Sequence, residues 1–276
     1  MDFKIVTDSS ADVLSINDIP FASAPLKIIT NEKEYVDDES LDVSAMQREL
    51  RSYKSRSHTA CPSSGEYFEA FGDAKYVFCV TITSGLSGSY NSATAAARAY
   101  EEEHNDRRVF VVDSLSTGPE CALLIDKLRE LILAGESFDS IKEKICEYKK
   151  TTGLIFLLES LHNLANNGRV SPIVAKISGF LGIRIAGKAS EKGTLEITNK
   201  SRGDGGAISD LIKNLTAEGY SGKTLRIHHA ENPALAERIK EKVLAKWPSA
   251  NIIIGQTRGL CSFYAEAGGI LVGYER

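Results

Sequence analysis

The sequence predicts an α/β protein of two lobes, an N-terminal Rossmann-like lobe and a C-terminal lobe built on a mixed sheet. Three observations predict it. Short apolar runs alternate with longer amphipathic stretches through the first half, the pattern of repeated βα units. Glycine-containing turns and a hairpin pattern mark the second half. The 276 residues, 42% of them hydrophobic, supply enough apolar material for one large domain or two smaller ones, and two lobes suit that length better.

Taken in order, residues 3–7 form a strand pattern running into Asp8-Ser9-Ser10. Residues 76–81 run into Thr83-Ser84-Gly85-Leu86-Ser87-Gly88-Ser89 and an Ala-rich helix, and residues 109–112 run into Asp113-Ser114. Polar residues therefore collect at the carboxyl ends of strands, the edge where open α/β sheets bind ligands. Ser140 with Glu143 predicts a capped helix reaching about residue 150. Thr151-Thr152-Gly153 interrupts it, and the lobe boundary is placed there, dividing the chain into 1–152 and 153–276 with a ligand site at their interface. Beyond it, residues 183–189 and 195–200 flank Glu191-Lys192-Gly193 as a hairpin. A helix is expected near 208–218, a strand over 224–228, and a further helix opened by the Asn232-Pro233 cap and continuing to about 246. Residues 251–254 and 270–274 complete the mixed sheet.

Thirty-three Lys and Arg against 37 Asp and Glu leave a formal charge of −4. That balance provides no bulk attraction for nucleic acid or an anionic membrane. Five cysteines, at 61, 79, 121, 146 and 261, make no CxxC pair, and their odd number argues against a closed disulfide framework. The start has no signal-peptide pattern, and no apolar run approaches the ~18 residues of a bilayer span, so no stable membrane insertion is expected and the expected location is the cytoplasm. His228-His229 falls on a strand pattern, where neighbours point to opposite faces, and neither HExxH nor a cysteine cluster is present. No metal site is expected.

The loop over 83–90 is the most informative. Gly85 and Gly88 let the backbone approach a ligand, and the helix that follows points its free N–H groups outward. Such a geometry favours an anion. A P-loop needs Lys where Ser89-Tyr90 stands, so a carboxylate suits the loop better than a phosphate. Spacing alone leaves open that Ser87 only caps the helix. It also leaves a serine hydrolase acting on an acyl ester with Ser87 as nucleophile, although a GxSxG elbow requires glycine where Ser89 stands. Thr59, in His58-Thr59-Ala60-Cys61-Pro62, supplies a second hydroxyl beside a proline-stiffened turn. Gly168 ends a helix in Asn166-Asn167-Gly168-Arg169. Arg169, just beyond it, has a planar fork suited either to a carboxylate or to helix carbonyls.

Taken together, five segments resemble the DegV family: Thr7-Asp8-Ser9-Ser10-Ala11-Asp12; Thr59 with Pro62 and Gly65-Glu66-Tyr67; Ser84-Gly85-Leu86-Ser87-Gly88-Ser89-Tyr90; Val112-Asp113-Ser114; and Gly168-Arg169-Val170-Ser171. The resemblance implies the DegV fold, one bound long-chain fatty acid, no cofactor and no catalysis by this chain. It implies service as the lipid-carrying subunit of a bacterial fatty acid kinase, whose catalytic subunit phosphorylates the bound carboxyl. By the same resemblance Thr59 and Ser87 contact the carboxylate, Gly88 adds a backbone N–H, and Arg169 and Arg202 support the site or face the kinase.

Two stretches depart from the family pattern. Many relatives carry Ser-Gln-Pro-Ser-Pro where Ala60-Cys61-Pro62-Ser63-Ser64 stands, and many carry His-Thr-Gly-Pro-Gly where Gln256-Thr257-Arg258-Gly259-Leu260 stands. The histidine is missing from the second, so either Arg258 takes the supporting role in its place or the chain belongs to a branch with altered ligand or partner use.

Overall fold

A computed structural model describes residues 2–171 and 182–276. The three βα strands read from the sequence are β1 (Phe3–Asp8), β6 (Tyr76–Thr81) and β7 (Arg108–Asp113), and β2 (Phe21–Ala24) joins them. They form one parallel sheet in the order β2-β1-β6-β7. The Ala-rich helix α3 (Ser89–Glu103) packs on it through Ala93, Ala96, Ala97 and Tyr100, the spacing that brings residues onto one helical face.

Three short strands form a second, antiparallel sheet. These are β3 (Lys27–Ile29), β4 (Glu34–Val36) and β5 (His58–Ala60), in the order β4-β3-β5. Between them lies α1 (Val43–Ser52), and α2 (Ser64–Phe71) follows β5, opened by a capping box of Ser63 and Glu66. None of the three strands was predicted.

After β7 come α4 (Pro119–Leu133) and α5 (Phe138–Lys149). The cap of α5 differs from the expectation. Ser137, not Ser140, accepts from the first-turn amide, because the Ser140 hydroxyl is drawn to Glu136 at 2.6 Å.

The second half builds the expected mixed sheet from β8 (Thr152–Leu158), β9 (Ile183–Ala189), β10 (Leu195–Arg202), β11 (Thr224–His229), β12 (Asn251–Gln256) and β13 (Ile270–Glu275). The order is β10-β9-β8-β13-β11-β12, with only β11 and β12 parallel. Its helices among the described residues are α6 (His162–Asn166), α7 (Gly203–Ala217), α8 (Pro233–Lys246) and α9 (Gly259–Ala265). Helix α7 starts five residues before the expected 208, since Asp204 in its glycine-rich first turn is pinned by Arg184 at 2.6 Å and Arg238 at 2.7 Å. Helix α8 opens as expected, the Asn232 side chain accepting from Leu235 N. Among the described residues no helix is long and apolar enough to cross a membrane.

Helix α4 packs against the parallel sheet through Cys121, Leu124, Ile125 and Leu128 and also touches β8, β11 and β13. It therefore joins the two large sheets, and a shared cleft is lined by loop residues after β6 and β7 and by Leu154, Phe156 and Leu158 of β8.

Candidate functional site

The cleft is a partly open apolar cavity, about 810 Å³ of atom-free space with the adjoining solvent included, and its walls come from both halves of the chain. Leu26 and Ile82 come from one side; Phe156, Leu195, Leu260 and Leu271 come from the other. Among the polar residues of this lining, which include Thr83, Ser116, Thr117 and Thr194, four are linked in space: Thr59 to Tyr264, Tyr264 to Arg169, and Arg169 to the backbone beside Ser87.

Thr59 stands at the middle of β5, opposite Ile28 on β3. Its Oγ1 lies 2.7 Å from the Tyr264 hydroxyl on α9. Burial pushes the Tyr264 phenol up, opposed by Thr59 and Arg169, so the phenol stays protonated.

Ser87 and Gly88 belong to the loop between β6 and α3, and several anchors fix that loop. Asp113, at the end of β7, accepts from Ser84 N at 3.0 Å and Ser84 Oγ at 2.5 Å. Thr83 Oγ1 accepts from Gly85 N and donates to Gly193 O at 2.9 Å, in the β9–β10 turn. A Cβ on Gly85 would lie 2.6 Å from Lys192 O, so only glycine permits this approach. At the loop's inner edge, the buried Asp8 carboxylate accepts from Ile82 N at 2.9 Å and Ser89 Oγ at 2.6 Å. Burial raises the Asp8 pKa, and its hydroxyl and amide donors oppose the shift.

Ser87 Oγ accepts from Ser89 N at 3.2 Å, and Gly88 is the N-cap residue of α3, which has no side-chain cap bond from that residue. Helix α3 thus starts directly after the cavity-lining Ser87, and a helix start carries N–H groups without intrahelical acceptors.

Arg169 follows α6. Gly168 adopts φ +75°, and the amides of Gly168 and Arg169 return to Ala165 O and Leu164 O, the paired bonds of a Schellman ending. The Arg169 guanidinium donates to Leu86 O at 3.2 Å and Asn167 O at 2.5 Å, and stands 5.8 Å from the centre of the Tyr264 ring. The carbonyl alternative read from the sequence is the one observed, the side chain satisfying backbone carbonyls at the cavity wall.

A model of the DegV family, described as an uncharacterised protein family, matches residues 2–276. The chain belongs to the DegV family. A DegV domain-containing protein of Streptococcus pyogenes serotype M1 is 42% identical over 279 aligned residues, covering 100% of each chain. Among solved structures, a DegV family protein from Eubacterium eligens loaded with heptadecanoic acid matches with a TM-score of 0.97 at 43% identity, over 99% of both chains. The Streptococcus pneumoniae fatty acid kinase (Fak) B3 protein loaded with linoleic acid matches with a TM-score of 0.98 at 41% identity, over 100% of this chain and 99% of that one. The two-part α/β architecture read from the sequence is therefore the DegV fold.

Within this DegV chain the predicted site residues divide into two groups. Thr59, Ser87 and Arg169 line one cavity, and Gly88 adjoins Ser87. Arg202 stands apart: it is exposed at the end of β10, seven residues beyond the cavity-lining Leu195, or about 20 Å along a strand. Arg258 does not line the cavity either. Its amide donates to Asp12 Oδ1 at 2.7 Å and its guanidinium to Asp38 O, so it buttresses α9.

The serine hydrolase alternative finds no support. Among the described residues no imidazole is hydrogen-bonded to Ser87, and His228 is engaged elsewhere, with Nδ1 2.9 Å from Asp12. His229 Nδ1 accepts from Asn232 N. Sequence reasoning missed Tyr264, whose aromatic ring in a short apolar stretch gives no signal apart from its three-dimensional neighbours.

Proposed function

We propose that this chain binds one long-chain fatty acid, burying the tail in the cavity and holding the carboxylate at Thr59, Ser87 and the Gly88 N–H. The observation that carries the reading is an otherwise apolar cavity whose lining holds the hydroxyls of Thr59, Ser87 and Tyr264, with a helix start directly after Ser87. Each buried methylene contributes about 0.8 kcal/mol, so the tail supplies affinity and the polar region fixes the position of the head. Arg169 is tied to carbonyls and placed beside the Tyr264 ring; it biases the region toward an anion without a bidentate clamp that would trap it. The relatives loaded with heptadecanoic and linoleic acids support the assignment.

The second part of the proposal is presentation. The chain acts in the cytoplasm as the lipid-carrying partner of a fatty acid kinase, with Arg202 on the partner-facing surface and the carboxylate reached through the open mouth. The relation to the Fak B3 protein supports this part.

Native mass spectrometry of delipidated protein mixed with heptadecanoic acid tests the first part. One adduct per chain is expected, and no adduct overturns the proposal. Acyl phosphate formation by a fatty acid kinase catalytic subunit, dependent on added chain, tests the second.

A further inference from the structure

Helix α9 is seven residues long and receives no side-chain cap from its own N-cap residue, Arg258. It nonetheless brings Leu260, Cys261, Tyr264 and Ala265 to the cavity. Its leading amides are held by carboxylates from the first half of the chain. Asp37 Oδ1 accepts from Gly259 N at 2.8 Å and Asp37 Oδ2 from Leu260 N at 2.8 Å. Asp12 Oδ1 takes the amide of Arg258, and its other oxygen meets His228.

Asp37 is 1% exposed. The fit is steric as well as electrostatic. A Cβ on Gly259 would lie 2.7 Å from Asp37 Oδ1 and 2.6 Å from Leu41 Cδ2. Two oxygens on two successive amides fix a helix against both sliding and rotation, because either motion breaks a buried charge-assisted bond. About one and a half turns further on, Tyr264 reaches Thr59.

We propose that Asp37 is a positioning residue of the head-group site, setting Tyr264 against Thr59 through helix α9. This rests on the fatty-acid reading of that site. Asp37 itself does not line the cavity, so its effect on binding passes through the helix.

A double-mutant cycle tests it, with heptadecanoic acid as the probe. Tyr264→Phe in the wild-type background is expected to weaken binding about fivefold, the loss of one hydrogen bond. Asp37→Asn, which turns one acceptor into a donor facing an amide, is expected to weaken it about tenfold. Gly259→Ala presses on the same carboxylate from the helix side, should act alike, and carries the comparison if Asp37→Asn does not fold. In either background Tyr264→Phe should add no further loss, and crystal structures of the variants should show the Tyr264 hydroxyl displaced from Thr59. Losses that multiply, or a Thr59–Tyr264 contact that stays at 2.7 Å, overturn the proposal. The crystallographic readout needs no ligand. If the wild-type chain takes up no fatty acid, the proposed function fails, while the variants' geometry still decides whether Asp37 positions the helix.

Discussion

The hydroxyls of Thr59 and Tyr264 lie 2.7 Å apart although 205 positions separate them in the chain. One sits on a three-residue strand of the small sheet, the other on the short helix before the last strand. The polar region of the cavity is therefore assembled only when the beginning and the end of the protein meet.

Removing either head-group hydroxyl should weaken fatty-acid binding without harming the fold. Thr59→Ala and Ser87→Ala are each expected to cost about 1–2 kcal/mol, the scale of one lost hydrogen bond. Isothermal titration with heptadecanoic acid measures this, and unchanged affinity in both variants would remove the head-group assignment.

Ser87 should be chemically quiet. Its hydroxyl accepts from Ser89 N, and no base is bonded to it among the described residues, so a fluorophosphonate probe is expected to leave it unlabelled. Covalent labelling at Ser87 would restore the hydrolase alternative.

Gly193 should tolerate no side chain. It has φ +69°, and a Cβ there would lie 1.9 Å from Thr83 Oγ1 and 3.0 Å from Leu115 Cα. Gly193→Ala combines left-handed strain with overpacking and is expected to destabilise the protein by about 2–4 kcal/mol. A shift of the urea midpoint checks it; an unshifted midpoint would mean the turn can move freely.

Asp37 should leave a pH signature in stability. Burial pushes its carboxyl up from 3.8 to about 6, against the pull of the Leu260 and Gly259 amides. A carboxyl whose pKa is higher folded than unfolded contributes stability that is fully present below 3.8 and is lost as pH rises through about 6. The stability advantage of wild type over Asp37→Asn should therefore shrink between about pH 4 and 7, since the other titrating groups are common to both proteins. Urea unfolding across that range measures it, and an advantage that grows with pH contradicts the prediction.

Much of this molecule is legible where local chemistry decides. The strands ending in Asp8 and Asp113, the Asn232-Pro233 helix start, the Gly193 turn and the Gly168 helix end are all written in neighbouring residues. The small sheet is not. Its three-residue strands are too short for an alternation to register, yet it delivers Thr59. Asp8 illustrates a second limit. It caps the turn after β1, accepting from Ser10 N as a local reading expects, and the same carboxylate also holds Ile82 and Ser89 across the sheet. Tyr264 and Asp37 owe their places wholly to distant partners, which no window along the chain contains.

The bond from Thr83 to Gly193 has a practical side. Glu191 and Lys192 are exposed on the β9–β10 turn, and exposed turns are where dyes and inserted peptides are ordinarily placed. Here such a graft would not be silent. A fluorophore at Lys192 would sit on a turn fastened to the loop that carries Ser87, and would report whether the cleft is filled; an inserted peptide at the same point would pull that loop out of register.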